Sequence, residues 1–172
     1  AQAEADIDHV VDEANEQIVL NLFQQMHTRG HTIVLVTHDA TVGALADRIV
    51  RAQNEGLATF VAQYPDRFVA MASTSLQFPD LAAQQLEDGV KRLGLRAAAI
   101  GGHVNGEDLS LPKFDPFWAK AAELGVVVFM HPAGADNIVK EGALRGRGDL
   151  GNIIGNPLET TSFLTRLIFD GT

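Results

Sequence analysis

The chain has 172 residues, 46% of them hydrophobic, which is enough to bury one core and short for two domains. A formal charge of −9 and a pI near 5.0 argue against nucleic acid or an anionic membrane as partner, because both reward clustered Lys and Arg. With no cysteine, disulfides, zinc ribbons and thiol nucleophiles are excluded, and any metal must be held by His, Asp or Glu.

No apolar run approaches the ~20 residues that cross a bilayer. The first residues, AQAEADID, are acidic where a signal peptide is basic and then apolar. These features predict a cytoplasmic protein that meets small molecules or other proteins rather than membranes. The first residue is not Met, so a processed, trimmed or engineered N-terminus is expected.

Ile7, Val11, Ala14, Ile18, Leu22 and Met26 recur at three to four residues, the spacing of one helical face, and Gly30 follows as a stop. TIVLV at 32–36 is β-branched and too short for a helix, so it reads as a strand. A helical stretch through Leu45, Ile49 and Val50 follows it. The same grammar then repeats: strand 67–72, helix 80–93, strand 96–100, helix 114–124 and strand 126–130. Unbroken apolar strands alternating with helices predict an α/β fold, with about four parallel strands covered on both faces. Gly94 and Gly125 lie just past helices, where a left-handed cap suits glycine, and each leads at once into a strand. The segment from Ala133 to Asn152 is rich in Gly and charge without a firm period and reads as a long loop, followed by a last helix over 157–169.

Six histidines are candidates for chemistry. His9, His27 and His31 belong to the first helix and its exit turn and need no function as solvated residues. Asp6, Asp8, Asp12, Glu13 and Glu16 around His9 suit the positive end of that helix without a ligand. His38, His103 and His131 each sit at or just past the end of a predicted strand, in THD, GGHVNG and MHP. In a parallel sheet those ends share one rim, so the three imidazoles, with Asn105 beside His103, are candidates for a substrate-binding or metal-binding mouth. Alternatively, each histidine caps its strand end by hydrogen-bonding to the loop. His131 follows five apolar residues and precedes Pro132, so a partly desolvated, neutral imidazole suited to a metal is expected there.

Three stretches carry a resemblance: NEGLATFVAQYPDRFVAMASTSLQFPD, then LEDGVKRLGLRAAAIGGHVNGEDLSLPKFDPFWAKAAELGVVVFMHP, then GNPLETTSFLTRLIFDG. Over about residues 53–172 they resemble the amidohydrolase-related decarboxylases that act on aminocarboxymuconate semialdehyde, γ-resorcylate and 5-carboxyvanillate. The resemblance implies a metal-dependent (β/α)8 barrel acting on a small carboxylic acid, as a carbon-carbon lyase or a hydrolase. It also implies a divalent metal, zinc or manganese, that binds the substrate carboxylate while a general acid protonates the carbon losing carbon dioxide. His131 matches the family's metal-binding histidine after the fifth strand. Glu159 and Thr160, in NPLETT, match a stretch leading to the sixth and are expected to be architectural or to support the metal ligands. The family's His-x-His or Glu-x-His pair, its later histidine and its last aspartate have no counterparts here. A partial barrel is therefore expected, and one histidine falls short of the three protein ligands a catalytic zinc usually has.

Residues 13–50 resemble the last part of an ABC transporter ATPase domain, with THD supplying that family's switch histidine at His38, yet the GK[ST] phosphate loop is absent. The sequence thus reads as one α/β domain, ATPase-like over 1–52 and amidohydrolase-like over 53–172. The alternatives are a catalytically inactive half-barrel and a nucleotide-binding fragment. Open sheet edges predict a homo-oligomer, most simply a dimer.

Overall fold

The computed structural model describes residues 40–132, 134–135, 138–146 and 148–172. The helix expected over 7–26, the strand over 32–36 and His38 lie outside the described residues.

Helix α1 spans Ala40–Gln63. Gly43, Ala46, Val50 and Asn54 share one helical stripe and are buried. Pro65 cannot continue the helix, and the N–H groups of Arg67 and Phe68 both donate to the Tyr64 carbonyl, at 3.0 and 3.2 Å. That turn occupies the residues expected to begin a strand, so β1 is only Met71–Ser73 rather than 67–72.

Helix α2, Pro79–Lys91, starts with proline and Asp80 in its first turn and carries Lys91 in its last, in keeping with its dipole. Strand β2 is Ala97–Ile100. A two-stranded antiparallel hairpin follows, β3 (His103–Val104) and β4 (Glu107–Asp108), which the sequence reading did not anticipate. A short 3-10 turn, Pro112–Phe114, leads into α3, Asp115–Leu124. Gly125 ends α3 at φ 62°, its N–H reaching the carbonyls of Ala121 and Ala122, and the chain passes directly into β5, Val127–Met130. A π-helical turn, Gly151–Gly155, precedes α4, Asn156–Asp170.

Strands β1, β2 and β5 form a parallel sheet with β2 in the middle. Met71–Ser73 lie beside Ala97–Ala99, and Ala97–Ile100 beside Val127–Met130. Alternate residues of this register, Ala72, Ala98 and Ile100, join one core with Leu86, Leu95, Leu109, Phe114, Phe117, Ala121 and Phe163. The intervening residues Met71, Val127 and Phe129 are 37%, 67% and 48% exposed. Cover on both faces was expected from the unbroken apolar strands. Among the described residues it is present on one.

Among the described residues, the outer edge of β1 is met at Ser73 by a side chain. Asn54 Nδ2 donates to the Ser73 carbonyl at 3.0 Å, and its Oδ1 accepts from the Ser73 N–H at 2.9 Å. The amide thus stands where a neighbouring strand's backbone would pair, and Asn54 is buried in doing so.

Candidate functional site at the carboxyl edge of the sheet

Because the three strands are parallel, their carboxyl ends open on one edge, where segments 74–77, 101–104 and 131–132 leave the sheet. There a recess of about 390 Å³ is lined by Thr74, Leu76, Gln77, Ala99, Ile100, Gly101, His103, Val104 and His131. The His131 N–H donates to the Ile100 carbonyl at 2.9 Å, which carries the β2–β5 pairing one residue past Met130 and fixes the backbone beneath the imidazole. His131 is exposed as a residue, and β5 is flanked on one side only among the described residues.

His103 enters the same recess from the hairpin. Asn105 and Gly106 take φ values of 54° and 81°, the left-handed pair of a tight hairpin turn. The Gly106 N–H donates to His103 Nδ1 at 3.0 Å. Nδ1 is therefore an acceptor, and in the neutral ring the proton sits on Nε2. Asn105 is exposed at the turn and is not part of the recess lining.

Hydrogen bonds hold the floor of the rim. The Ser75 N–H donates to Gln85 Oε1 at 2.8 Å, Gln85 Nε2 donates to Asp47 Oδ1 at 2.8 Å, and Arg51 Nε donates to Asp47 Oδ2 at 2.7 Å. Burial works against ionisation of Asp47, but the bonds from Gln85 and Arg51, with the guanidinium charge, outweigh it and hold the carboxyl below its usual range. Thr74 Oγ1 is buried with no hydrogen-bond partner among the described residues.

Glu159 and Thr160, adjacent in sequence, part company in the fold. Thr160 Oγ1 donates to the Asn156 carbonyl at 2.9 Å, a bond internal to α4. Glu159 is 2% exposed, and its Oε2 accepts from the Gly134 N–H at 2.7 Å, just beyond His131 and Pro132. A β-carbon on Gly102 would collide with the same carboxylate. One acid therefore meets the segments leaving both β2 and β5. Sequence reasoning missed Asn54, Thr74, Gln77 and Gln85, whose partners are 10 or more residues away where they have any. For the hairpin a local signal was available: the Asn105-Gly106 pair, which suits a two-residue hairpin turn.

Among the described residues no group of three His, Asp or Glu side chains could hold a metal ion. His131 and His103 bring two imidazoles to the rim, short of the three protein ligands usual for zinc, so the described residues do not fit a complete metal centre. A second recess, of about 490 Å³, lies by the loop after β5 and is lined by Glu141, Arg145, Asp149 and Asn152 among others, with no histidine.

The amidohydrolase family profile matches residues 19–171. The chain belongs to the amidohydrolase family. The profile takes in most of the stretch that resembles an ATPase. That stretch finds only short counterparts, such as an export ATP-binding/permease protein of Pseudomonas fluorescens, 41% identical over 44 residues and 7% of that protein. Among the relatives of this amidohydrolase chain, γ-resorcylate decarboxylase of Rhizobium radiobacter is 36% identical over 112 residues, covering 59% of this chain and 34% of the relative. The crystal structure of 5-carboxyvanillate decarboxylase from Novosphingobium aromaticivorans, with bound manganese and 3-methoxy-4-hydroxy-5-nitrobenzoic acid, superposes with a TM-score of 0.69 at 30% identity. That match covers 77% of this chain and 37% of that one. The chain thus spans about a third of the length of these relatives, and its parallel sheet and helices form part of their α/β barrel-type fold.

Proposed function

We propose that the chain is part of a metal-dependent decarboxylase that removes the carboxyl group of a small aromatic acid as carbon dioxide. His131 is assigned as one ligand of a divalent metal, manganese or zinc, whose other ligands come from outside the described residues. His103 is assigned to the rim that receives the substrate, and Asn105 to shaping the turn beside it. One observation carries the reading: parallel strands bring His131 to the mouth of a recess at their carboxyl edge, in a chain whose family relatives are decarboxylases. His103 adds a donor suited to a carboxylate or phenolic oxygen, because its Nδ1 is already committed to Gly106. The exposed face of Met71, Val127 and Phe129 supports a homo-oligomer, in which a second copy covers apolar surface that one copy leaves in water.

The test is turnover of 2,6-dihydroxybenzoate and 5-carboxyvanillate by the complete manganese-loaded protein that contains this chain, followed as released carbon dioxide and decarboxylated product. His131→Ala is expected to reduce turnover by about 100-fold or more, since it removes a direct ligand. Equal turnover by wild type and His131→Ala, or none by wild type, overturns the reading.

A further inference from the structure

We propose that Glu159 is a positioning residue that sets the separation of the two rim imidazoles. Its carboxylate is wedged between the exits of the adjacent strands β2 and β5. On one side it accepts the Gly134 N–H, three residues past His131. On the other it fills the space beside Gly102, the residue before His103. Gly102 has no left-handed backbone to explain its identity, so the carboxylate is what excludes a side chain there. Both lips of the recess are thereby referenced to one group, and that group is carried by α4, which belongs to neither strand.

The chemistry of the group points the same way. A carboxylate that is 2% exposed is costly to desolvate, and an apolar side chain of similar volume would fill the gap at lower cost. A carboxylate does what an apolar group cannot: it takes a charge-assisted hydrogen bond from a loop N–H, and so fixes where that loop leaves the sheet. The importance of this spacing rests on the proposed role of His131, but the spacing itself can be measured without metal or substrate.

The experiment compares wild type, Glu159→Gln, Glu159→Ala, Gly102→Ala and the double variant Gly102→Ala/Glu159→Ala. The readouts are melting temperature and the amide and imidazole nuclear magnetic resonance signals of the isotope-labelled, metal-free chain. Glu159→Gln, which keeps the shape, is expected to move the Gly134 amide proton upfield and to shift the ring signals of both His103 and His131 while the chain stays folded. Gly102→Ala is expected to lower the melting temperature, and Glu159→Ala in the same chain to recover part of that loss. Unmoved imidazole signals in a folded Glu159→Gln chain overturn the positioning role, as does a double variant that melts no higher than Gly102→Ala. Either result leaves the turnover of the decarboxylase reading to be judged separately.

Discussion

Replacing Asn54 with alanine removes the amide that pairs with Ser73 on the outer edge β1 shows among the described residues. Two backbone groups, the Ser73 N–H and C=O, then lose partners at 2.9 and 3.0 Å. Each orphaned group costs about 1–3 kcal/mol when buried, and the partly buried edge lets water recover some of that. The expected loss is therefore roughly 2–4 kcal/mol, a fall in melting temperature on the order of 10 °C for a unit of this size. The assay is urea and thermal unfolding followed by far-ultraviolet circular dichroism. Thr59→Ala is the control, a substitution on the same helix whose hydroxyl makes only an exposed bond to the Glu55 carbonyl. Asn54→Ala that costs no more than Thr59→Ala would refute the view that this side chain substitutes for a strand.

Acid should weaken the fold through Asp47 and Asp88. At Asp88 the Arg92 hydrogen bond is the main cause lowering the carboxyl below 3.8, with burial opposing it, and at Asp47 the bonds from Gln85 and Arg51 overcome burial. Depressed native values mean that the unfolded chain takes up protons first. Their contribution is thus complete above the ordinary carboxylate value and fades as pH falls through the lowered ones. Urea midpoints are expected to drop below about pH 4, and Asp47→Asn to flatten part of that slope. An unchanged slope refutes it. On the exposed sheet face, Phe129→Glu is expected to leave the unfolding free energy within about 0.5 kcal/mol but to abolish concentration-dependent association in sedimentation velocity. Identical sedimentation of both chains argues against self-association through that face.

Much of the fold could be read from local pattern. The expected helix over 80–93 and strand over 96–100 appear as Pro79–Lys91 and Ala97–Ile100, because glycine and proline punctuation and a change of hydrophobic period mark such boundaries. The strand expected at 67–72 moved toward its carboxyl end because the hydrogen bonds of Arg67 and Phe68 to Tyr64 extend the helix exit, and hydrophobicity alone does not reveal a backbone acceptor. The exposed Met71, Val127 and Phe129 escaped notice for a related reason: an apolar side chain states a preference for cover, not whether cover is supplied. The place of His131 just past a strand end was legible because an apolar strand ending in an imidazole and a proline is a local signal. The part played by Glu159 was not. Its surroundings come from Gly102 and Gly134, and nothing in NPLETT separates an acid that serves its own helix from one that crosses to two other segments.

The central strand has one further consequence. Ala97, Ala98 and Ala99 give it little more than methyl groups on either side, so the middle of the sheet is a thin partition between the packed helices and the open face. Bulk on the open side must then be contributed by whatever lies opposite, and Ala99 leaves the bottom of the mouth wide. Enlarging that one position would narrow the recess from below without changing either imidazole, and so would set the girth of whatever molecule it admits.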